Sequence, residues 1–215
     1  MLSPKQQEKV DTFINHVKRD CKKNGVDLRL LTSSHVPYGD EGTSMSFVNG
    51  YFSDQPVELV VGTGKELEKW LPVLVHEYGH MQQWKESSPA WMDLELDDVS
   101  VYDVMDQWLA GNRELNPIER FQVFFKAQRL ELDCEKRAIE LIKKFDLPLN
   151  LLEYTQKANS YVLFYHIIDE CKSWYKPGKE PYALESVWRH MPSTFDIDHS
   201  VLTDDQRVVL KRCFE

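Results

Sequence analysis

The segments with strand-like patterns are confined to the first third of the chain, and this order restricts the possible folds more than any other feature. Apolar residues alternate or cluster in three short segments, at positions 26–31, 45–52 and 57–61. Turn residues or prolines flank these segments. The composition of residues 37–42 predicts a loop between the first two. The later periodic segments repeat at helical spacing. Early strands followed by helices are typical of an α+β domain, and we predict a small twisted sheet and a mostly helical second half.

Start and stop signals predict where the helices lie. The first helix is predicted to begin at a capping pattern around Pro4 and to end at Gly25. A second capping box, Thr63 with Glu66, opens a helix to about residue 84, in which Pro72 marks either a kink or the true first turn. Further helices are expected over residues 99–110, 117–145, 151–175 and 184–190, followed by a last one capped by Thr203.

The 215 residues are enough for a single well-buried domain, which we expect to have three parts. Residues 1–85 carry the first helix, the sheet and the second helix. Residues 86–116 form an acidic insert, and residues 117–215 form the helical part. An acidic run of this kind is typical of a solvated face; the alternative is that it walls a cleft and favours basic substrates.

Charge and apolar content narrow the class of partners. The formal net charge is −9, and no cluster of lysine and arginine offsets it, which argues against a nucleic-acid or membrane partner. No segment has the pattern of a secretory signal or a transmembrane helix. The four cysteines are scattered, as is typical of free thiols in a reducing compartment. We expect a cytoplasmic protein, in the host cytoplasm if it is viral; the sequence leaves its oligomeric state open.

The segment His76-Glu77-Tyr78-Gly79-His80 carries the strongest chemical signal. Two histidines four residues apart on a helix share one face, and both imidazoles can reach one Zn²⁺ ion at roughly 2.0–2.1 Å. A glutamate after the first histidine can take a proton from a zinc-activated water molecule and pass it to a leaving amine. This HExxH pattern is a motif of zinc metalloproteases, and it predicts His76 and His80 as ligands and Glu77 as general base.

The alternative interpretation is a pair of surface histidines on an ordinary helix. The residues around the motif argue against it, because an apolar run precedes His76, and Met81 and Trp84 follow His80. The helix is therefore predicted to be largely buried. Two buried imidazoles one turn apart need a shared polar partner, and a metal ion supplies one.

A catalytic zinc site has three protein ligands and one open position, so the motif needs a third ligand. The candidates are an acid or one of the other histidines, which are His16, His35, His166, His190 and His199. The helix at 117–145 has a predicted apolar stripe of Phe121, Phe124, Phe125, Gln128, Leu132, Ala138, Ile139 and Ile142. Glu131 and Glu135 lie on or beside this stripe, whereas Asp133 faces solvent. A carboxylate that faces a core is unfavourable unless it is paired or binds a metal, which favours the two glutamates.

With HEYGH followed by a helix that reads Glu131-Leu132-Asp133-Cys134-Glu135, the chain resembles gluzincin-type zincin metallopeptidases, such as the small metallopeptidase-like proteins of bacteria and their phages. The resemblance covers about residues 26–145. It implies that Glu131 is the third zinc ligand and that Glu135 orients the ligand His76 by a hydrogen bond. The chain departs from the usual pattern at Glu135, where an aspartate is common.

The resemblance also implies a peptidase mechanism. Zinc polarises the scissile carbonyl group and lowers the pKa of a water molecule, and Glu77 moves the proton. Zincins bind a peptide as an added strand at the sheet edge, for which residues 45–52 are the candidate, with Gly50 allowing close approach. A downstream tyrosine often stabilises the oxyanion, and Tyr161 or Tyr165 is the candidate here, although aromatic residues at helical spacing are more often core.

Three other roles compete with a zinc peptidase that acts on peptide or protein substrates. The first is a regulatory protein of zincin fold, such as an anti-repressor, with restricted or no general proteolysis. The second is a zinc amidase acting on a small molecule or cell wall, for which a deep closed pocket is typical. The third is a purely structural zinc site, which needs a fourth protein ligand such as His166 or His190.

Overall fold

The computed structural model describes residues 2–39 and 46–215, which form two compact units. The first unit contains the chain up to Ser88 together with Arg137–Leu149. The second contains Pro89–Lys136 and Asn150–Glu215. The fold is α+β, as predicted, with small sheets and a mostly helical C-terminal half.

The elements of the first unit are α1 (Pro4–Asn24), β1 (Asp27–Leu31), β2 (Val36–Tyr38), β3 (Ser46–Val48), β4 (Gly50–Asp54), β5 (Val57–Gly62) and α2 (Leu67–Lys85). Those that follow are α3 (Pro89–Met92), β6 (Glu95–Leu96), β7 (Val99–Ser100), α4 (Val101–Leu109), α5 (Pro117–Phe145), α6 (Leu151–Cys171), α7 (Glu185–Trp188), α8 (Asp204–Leu210) and a closing 3₁₀ turn (Lys211–Phe214). Helix α5 is continuous, and its residues from Arg137 onward belong to the first unit.

Helix α1 follows from local signals, as predicted. Ser3 and Gln6 cap its first turn reciprocally, each side chain accepting a hydrogen bond from the backbone N–H of the other. Gly25 ends the helix in the left-handed conformation, at φ 72°. The buried side of α1 meets α2, where the rings of Phe13 and Tyr78 lie with centroids 6.1 Å apart.

The main sheet of the first unit has the strand order β1-β5-β4, in which β1 is parallel and β4 antiparallel to β5. Strand β3 pairs instead with β2, in a second sheet of two strands. The segment predicted as one strand at 45–52 is therefore divided at Asn49, since β2 and β5 each pair with one half of it. Residues Val36–Tyr38 form β2, so the loop prediction was wrong there, while residues 40–45 lie outside the described part of the chain.

Helix α2 begins at Leu67 and not directly after Thr63. The hydroxyl of Thr63 donates a 2.8 Å hydrogen bond to the carbonyl oxygen of Leu31 at the end of β1, so it is not available as a helix cap. Glu66 takes the cap position without a side-chain cap bond, and Pro72 lies inside the helix. The helix packs against β4 and β5 through a buried side that is mainly apolar, as predicted for the residues around the motif.

The second unit has its own hydrophobic core, to which the predicted acidic insert contributes. Residues 86–116 contain α3, a short β6–β7 hairpin and α4. Ser100 caps α4 by accepting a hydrogen bond from the backbone N–H of Tyr102. The core combines α4, α5 and α6 with the C-terminal segments, and its bulkiest buried members include Met105, Trp108, Phe124, Phe164, Tyr165, Ile167 and Met191.

Helix α5 has a buried side that includes both predicted glutamates. Glu131 and Glu135 are 5% and 6% exposed, which confirms that they face inward. Cys134, between them, is completely buried. The first part of the predicted stripe was wrong, because Phe121 and Phe125 are 64% and 42% exposed. The buried side there passes through Val123, Phe124 and Ala127.

The later helices are shorter than predicted. Helix α6 ends at Cys171, where Lys172 adopts the left-handed conformation at φ 50°. Helix α7 covers Glu185–Trp188. The last helix, α8, has the predicted cap at Thr203. None of the helices in the described ranges is long and apolar enough to cross a membrane.

Candidate metal centre

Helix α2 brings the two histidines of the motif together. The ring centroids of His76 and His80 are 4.6 Å apart, and the ring planes are perpendicular, at 89°. Their Nε2 atoms are 3.1 Å apart. His80 is buried and His76 is half-buried, so this turn of the helix holds a polar pair beside an apolar side.

Gln83, which was not predicted as a site residue, holds the ring of His80. Its side-chain Oε1 lies 2.8 Å from Nδ1 of His80, and Gln83 is completely buried. An amide oxygen only accepts hydrogen bonds, so Nδ1 carries the proton of neutral His80 and Nε2 carries the lone pair. A signal for this contact was present, because residues three apart on a helix are neighbours.

The arrangement of the two rings fits a bound metal ion. Histidine ligands almost always donate their other ring N–H to an acceptor, as His80 does to Gln83. Two ring nitrogens at about 2.05 Å from one tetrahedral zinc ion are roughly 3.3 Å apart. The observed 3.1 Å between the Nε2 atoms is close to this value, and it also suits a hydrogen bond from His76 to His80.

Cys134 completes a group of three possible metal ligands. One ligand atom from each of His76, His80 and Cys134 lies within 4.8 Å of the others. Imidazole nitrogen and thiolate sulfur both bind zinc and other transition metals, so the group can hold a metal ion of this class. Cys134 lies within the glutamate motif, one turn after Glu131, but the motif assigns it no role.

The two predicted glutamates of α5 are buried, and their roles stay predictions. Glu131 does not belong to the group of three ligand atoms. Glu135 is buried on the same side of α5. The structure therefore agrees with the inward orientation on which both assignments depend, and leaves the ligand role of Glu131 and the orienting role of Glu135 to experiment.

Glu77, the predicted general base, is hydrogen-bonded to the main sheet. Its Oε2 accepts a 3.0 Å hydrogen bond from the backbone N–H of Phe52. Phe52 lies in β4, which within the described ranges forms one edge of the sheet. The carboxylate is half-buried and is held beside this edge strand.

Gly50, at the start of β4, has a packing role, and its role in substrate approach stays a prediction. A Cβ atom at Gly50 would lie 2.8 Å from Cγ1 of Val73 in α2 and 2.9 Å from the carbonyl oxygen of Val60 in β5. Contacts this short do not occur with ordinary side chains. Glycine is therefore needed for β4 to lie this close to α2 and β5.

In the second unit, the carboxylate of Glu131 is bonded to a tyrosine. The hydroxyl of Tyr102 in α4 donates to Oε1 of Glu131 at 2.9 Å. Tyr165 in α6 is hydrogen-bonded to Tyr102, and the hydroxyls of Tyr161 and Tyr165 are 3.5 Å apart. The two tyrosines proposed as oxyanion donors therefore cluster with Glu131, and their catalytic role stays a prediction.

The three hydroxyls of this cluster stay protonated. The pKa of each hydroxyl, in Tyr102, Tyr161 and Tyr165, is raised well above the usual tyrosine value. Burial is the largest cause, and the negative charge of Glu131 raises the three pKa values further. Protonated hydroxyls beside a carboxylate donate toward it. Tyr102 was not predicted as a site residue, because no local pattern pairs a residue of α4 with one of α5.

The histidines considered as a fourth ligand have other contacts or are exposed. Nε2 of His166 lies 2.8 Å from the carbonyl oxygen of His199, whose own Nε2 lies 2.9 Å from Oδ1 of Asn159. His190 is exposed. In the part of the chain that the structure describes, the group around the motif contains no third histidine. The described site therefore gives no support to His166 or His190 as ligands of a structural zinc ion.

The site combines paired imidazoles, a thiol and a half-buried carboxylate, which together suit metal binding and proton transfer. No protein-family model, curated protein or solved structure matches the chain. The resemblance to zincins therefore depends on the two sequence motifs.

Proposed function

We propose that the chain is a zinc-dependent metallopeptidase of zincin-like fold, in which His76 and His80 bind Zn²⁺ and Glu77 is the general base. One observation carries the proposal, namely the hydrogen bond between His80 and Gln83. Because Gln83 accepts the Nδ1 proton, the lone pair of His80 lies at Nε2, the atom that approaches His76. A ring held in this tautomer by a buried acceptor is typical of a metal ligand.

Zinc, when bound, supplies a Lewis acid that polarises a carbonyl group and lowers the pKa of water. Glu77 follows His76 directly, so its carboxylate is available to take a proton from the attacking water and return it to the leaving amine. The hydrogen bond from Phe52 restricts the rotation of this carboxylate. A base held in one orientation needs less reorganisation when the proton moves.

A peptide is the substrate class that the edge strand favours. An extended peptide can add to an exposed sheet edge through backbone hydrogen bonds. Strand β4 forms such an edge in the described ranges, and it contacts Glu77 through Phe52. A peptide bound along β4 would place its backbone near the general base, which favours a peptidase over an amidase for small molecules.

Two residues of α5 compete for the role of third ligand. Resemblance favours Glu131, and proximity to the histidines favours Cys134. The two are three residues apart on a helix, so both side chains can face one site. If both bound, zinc would have four protein ligands and no open position, as in structural sites. That outcome would favour the alternative function, a regulatory protein without general proteolysis.

Cleavage of a peptide library by the zinc-loaded protein tests the proposed function. We expect cleavage that a chelator abolishes and added zinc restores. Glu77→Gln should keep zinc and lower the cleavage rate by about 10²–10⁴-fold, because it removes the general base. Glu68→Gln, on the exposed side of the same helix, is the matched control and should cleave normally.

Two results would contradict this account in different ways. Normal cleavage by Glu77→Gln would overturn the assigned mechanism. A wild-type protein that binds zinc tightly but cleaves no peptide would overturn the peptidase assignment and favour the regulatory alternative.

A further inference from the structure

The tyrosine cluster of the second unit ends on the carboxylate of Glu131. Tyr102 donates to Oε1 of Glu131 at 2.9 Å, and Glu131 is 5% exposed. The tyrosine comes from α4 and the glutamate from α5. The carboxylate of Glu131 is therefore held by a donor from a second helix.

Two further tyrosines continue the chain of hydroxyl groups. Each phenol carries one proton, and Tyr102 donates its own to Glu131, so Tyr165 is the donor in the hydrogen bond between Tyr165 and Tyr102. The hydroxyls of Tyr161 and Tyr165 are 3.5 Å apart, and because Tyr165 donates its proton to Tyr102, Tyr161 is the donor toward Tyr165. The proton of each hydroxyl therefore points toward Glu131. Consecutive hydrogen bonds of one direction polarise one another and strengthen the last of them, the bond from Tyr102.

A buried carboxylate needs a physical reason, since removing its charge from water is costly unless hydrogen bonds or a cation compensate. Tyrosine hydroxyls compensate only in part, because they are neutral donors. Their hydrogen bonds orient the carboxylate and leave its negative charge on the oxygens, where a metal ion can bind. An arginine or lysine in the position of Tyr102 would instead neutralise it.

We propose that Tyr102 is a positioning residue that fixes the orientation in which Glu131 binds the metal, with Tyr165 and Tyr161 acting on it in series. The inference rests on the proposed metal site and adds a role to a residue of the insert at 86–116. It also assigns Tyr161 and Tyr165 to the support of a ligand and not to the oxyanion.

Zinc affinity, measured with zinc alone in competition with a chromophoric chelator, tests this role. Tyr102→Phe keeps the buried ring and removes only the hydroxyl. We expect about 10–100-fold weaker zinc binding, the range found when groups that orient a metal ligand are removed. Tyr165→Phe should give a smaller loss and Tyr161→Phe the smallest, because they act on Glu131 only through Tyr102.

A double-mutant cycle separates positioning from a general structural effect. In a Glu131→Gln background the hydroxyl of Tyr102 no longer has a ligand carboxylate to orient, so adding Tyr102→Phe should cause no further loss of zinc affinity. The melting temperature of the metal-free protein serves as a control, and it should change equally in the two backgrounds. If Tyr102→Phe weakens zinc binding equally in both, its effect is structural and the inference is overturned.

The remaining outcomes distinguish this inference from the proposed function. Unchanged zinc affinity in Tyr102→Phe, with zinc lost on replacing His76 and His80, overturns the positioning role and keeps the metal site. A wild-type protein that binds no zinc overturns both.

Discussion

Nδ1 of His80 lies 2.8 Å from Oε1 of Gln83, a side chain with no exposure to solvent. This bond should set the metal affinity of the site, because it fixes both the ring and its tautomer. We expect Gln83→Met, which keeps the volume but removes the acceptor, to weaken zinc binding by about 10–100-fold. Gln83→Glu keeps an acceptor at this position and should retain most of the affinity. Chelator competition measures both, and an equal loss in the two variants would contradict the role of the acceptor.

Alanine variants of α5 decide between the two candidate third ligands. If Glu131 is the ligand, Glu131→Ala should lower zinc affinity by at least about 10-fold and Cys134→Ala should change it little. Asp133→Ala is the matched control on the same turn of helix. Cobalt substitution gives an independent measurement, because a thiolate ligand adds a charge-transfer band in the near ultraviolet. Loss of such a band in Cys134→Ala would show that the thiol binds the metal.

Tyr78, inside the motif, should stabilise the fold and not the chemistry. Its hydroxyl donates to Oδ2 of Asp20 at 2.8 Å and lies 3.1 Å from Nε2 of His16, so it joins α2 to α1. Burial alone raises the pKa of Asp20, but hydrogen bonds from Lys85 and Tyr78 outweigh it and lower the pKa overall. We expect Tyr78→Phe to lower the free energy of unfolding by about 1–2 kcal/mol, since a partly buried hydrogen bond to a charged group is lost. Urea unfolding measures this.

Zinc binding provides the control for this prediction. Tyr78→Phe should bind zinc like the wild type, and Tyr38→Phe, at a side chain that is 49% exposed, should leave the unfolding free energy nearly unchanged. A Tyr78 variant of normal stability with weakened zinc binding would contradict the structural assignment.

His199 should make the protein less stable in mild acid. Burial is the main cause that lowers its pKa below 6.5, and the positive charge of Lys136 adds to it. The unfolded chain binds a proton at His199 more readily than the folded chain does. The stability that neutral His199 contributes is therefore fully present above pH 6.5 and is lost as the pH falls below it. We expect His199→Gln to reduce the slope of unfolding free energy against pH between about pH 7 and pH 5.

The control for this pH effect is His190→Gln, at an exposed histidine. It should keep the wild-type slope when urea unfolding is repeated across the same pH range. His16, whose pKa burial also lowers, should contribute the slope that remains in His199→Gln. An unchanged slope in His199→Gln would show that its titration does not contribute to folding.

Local signals explain what the sequence predicted correctly. The capping box of Ser3 with Gln6 and the termination at Gly25 lie within a few residues of α1, so α1 could be located from its own sequence. The start of α5 at Asn116-Pro117 is of the same kind. The inward orientation of Glu131 and Glu135 followed from helical periodicity, which does not depend on the rest of the fold.

The errors arose where a distant segment determines the local structure. Thr63 has the spacing of a helix cap, but its hydroxyl bonds to Leu31, more than thirty positions earlier. Residues 45–52 read as one strand, and pairing with two different partners divides them at Asn49. Tyr102 could not be connected to Glu131 for the same reason. Gln83 is different, because its spacing from His80 was visible in the sequence.

Zinc binding by His76 and His80 is the property on which the other assignments depend. The most direct measurement is the zinc content per chain, by elemental analysis after dialysis against metal-free buffer, for the wild type and for His76→Ala/His80→Ala. His166→Ala/His190→Ala is the matched control. We predict about one zinc ion per chain in the wild type and in the control, and none in the motif variant. Equal zinc content in the motif variant and the wild type, or a wild type that holds no zinc when zinc is supplied, would contradict the claim.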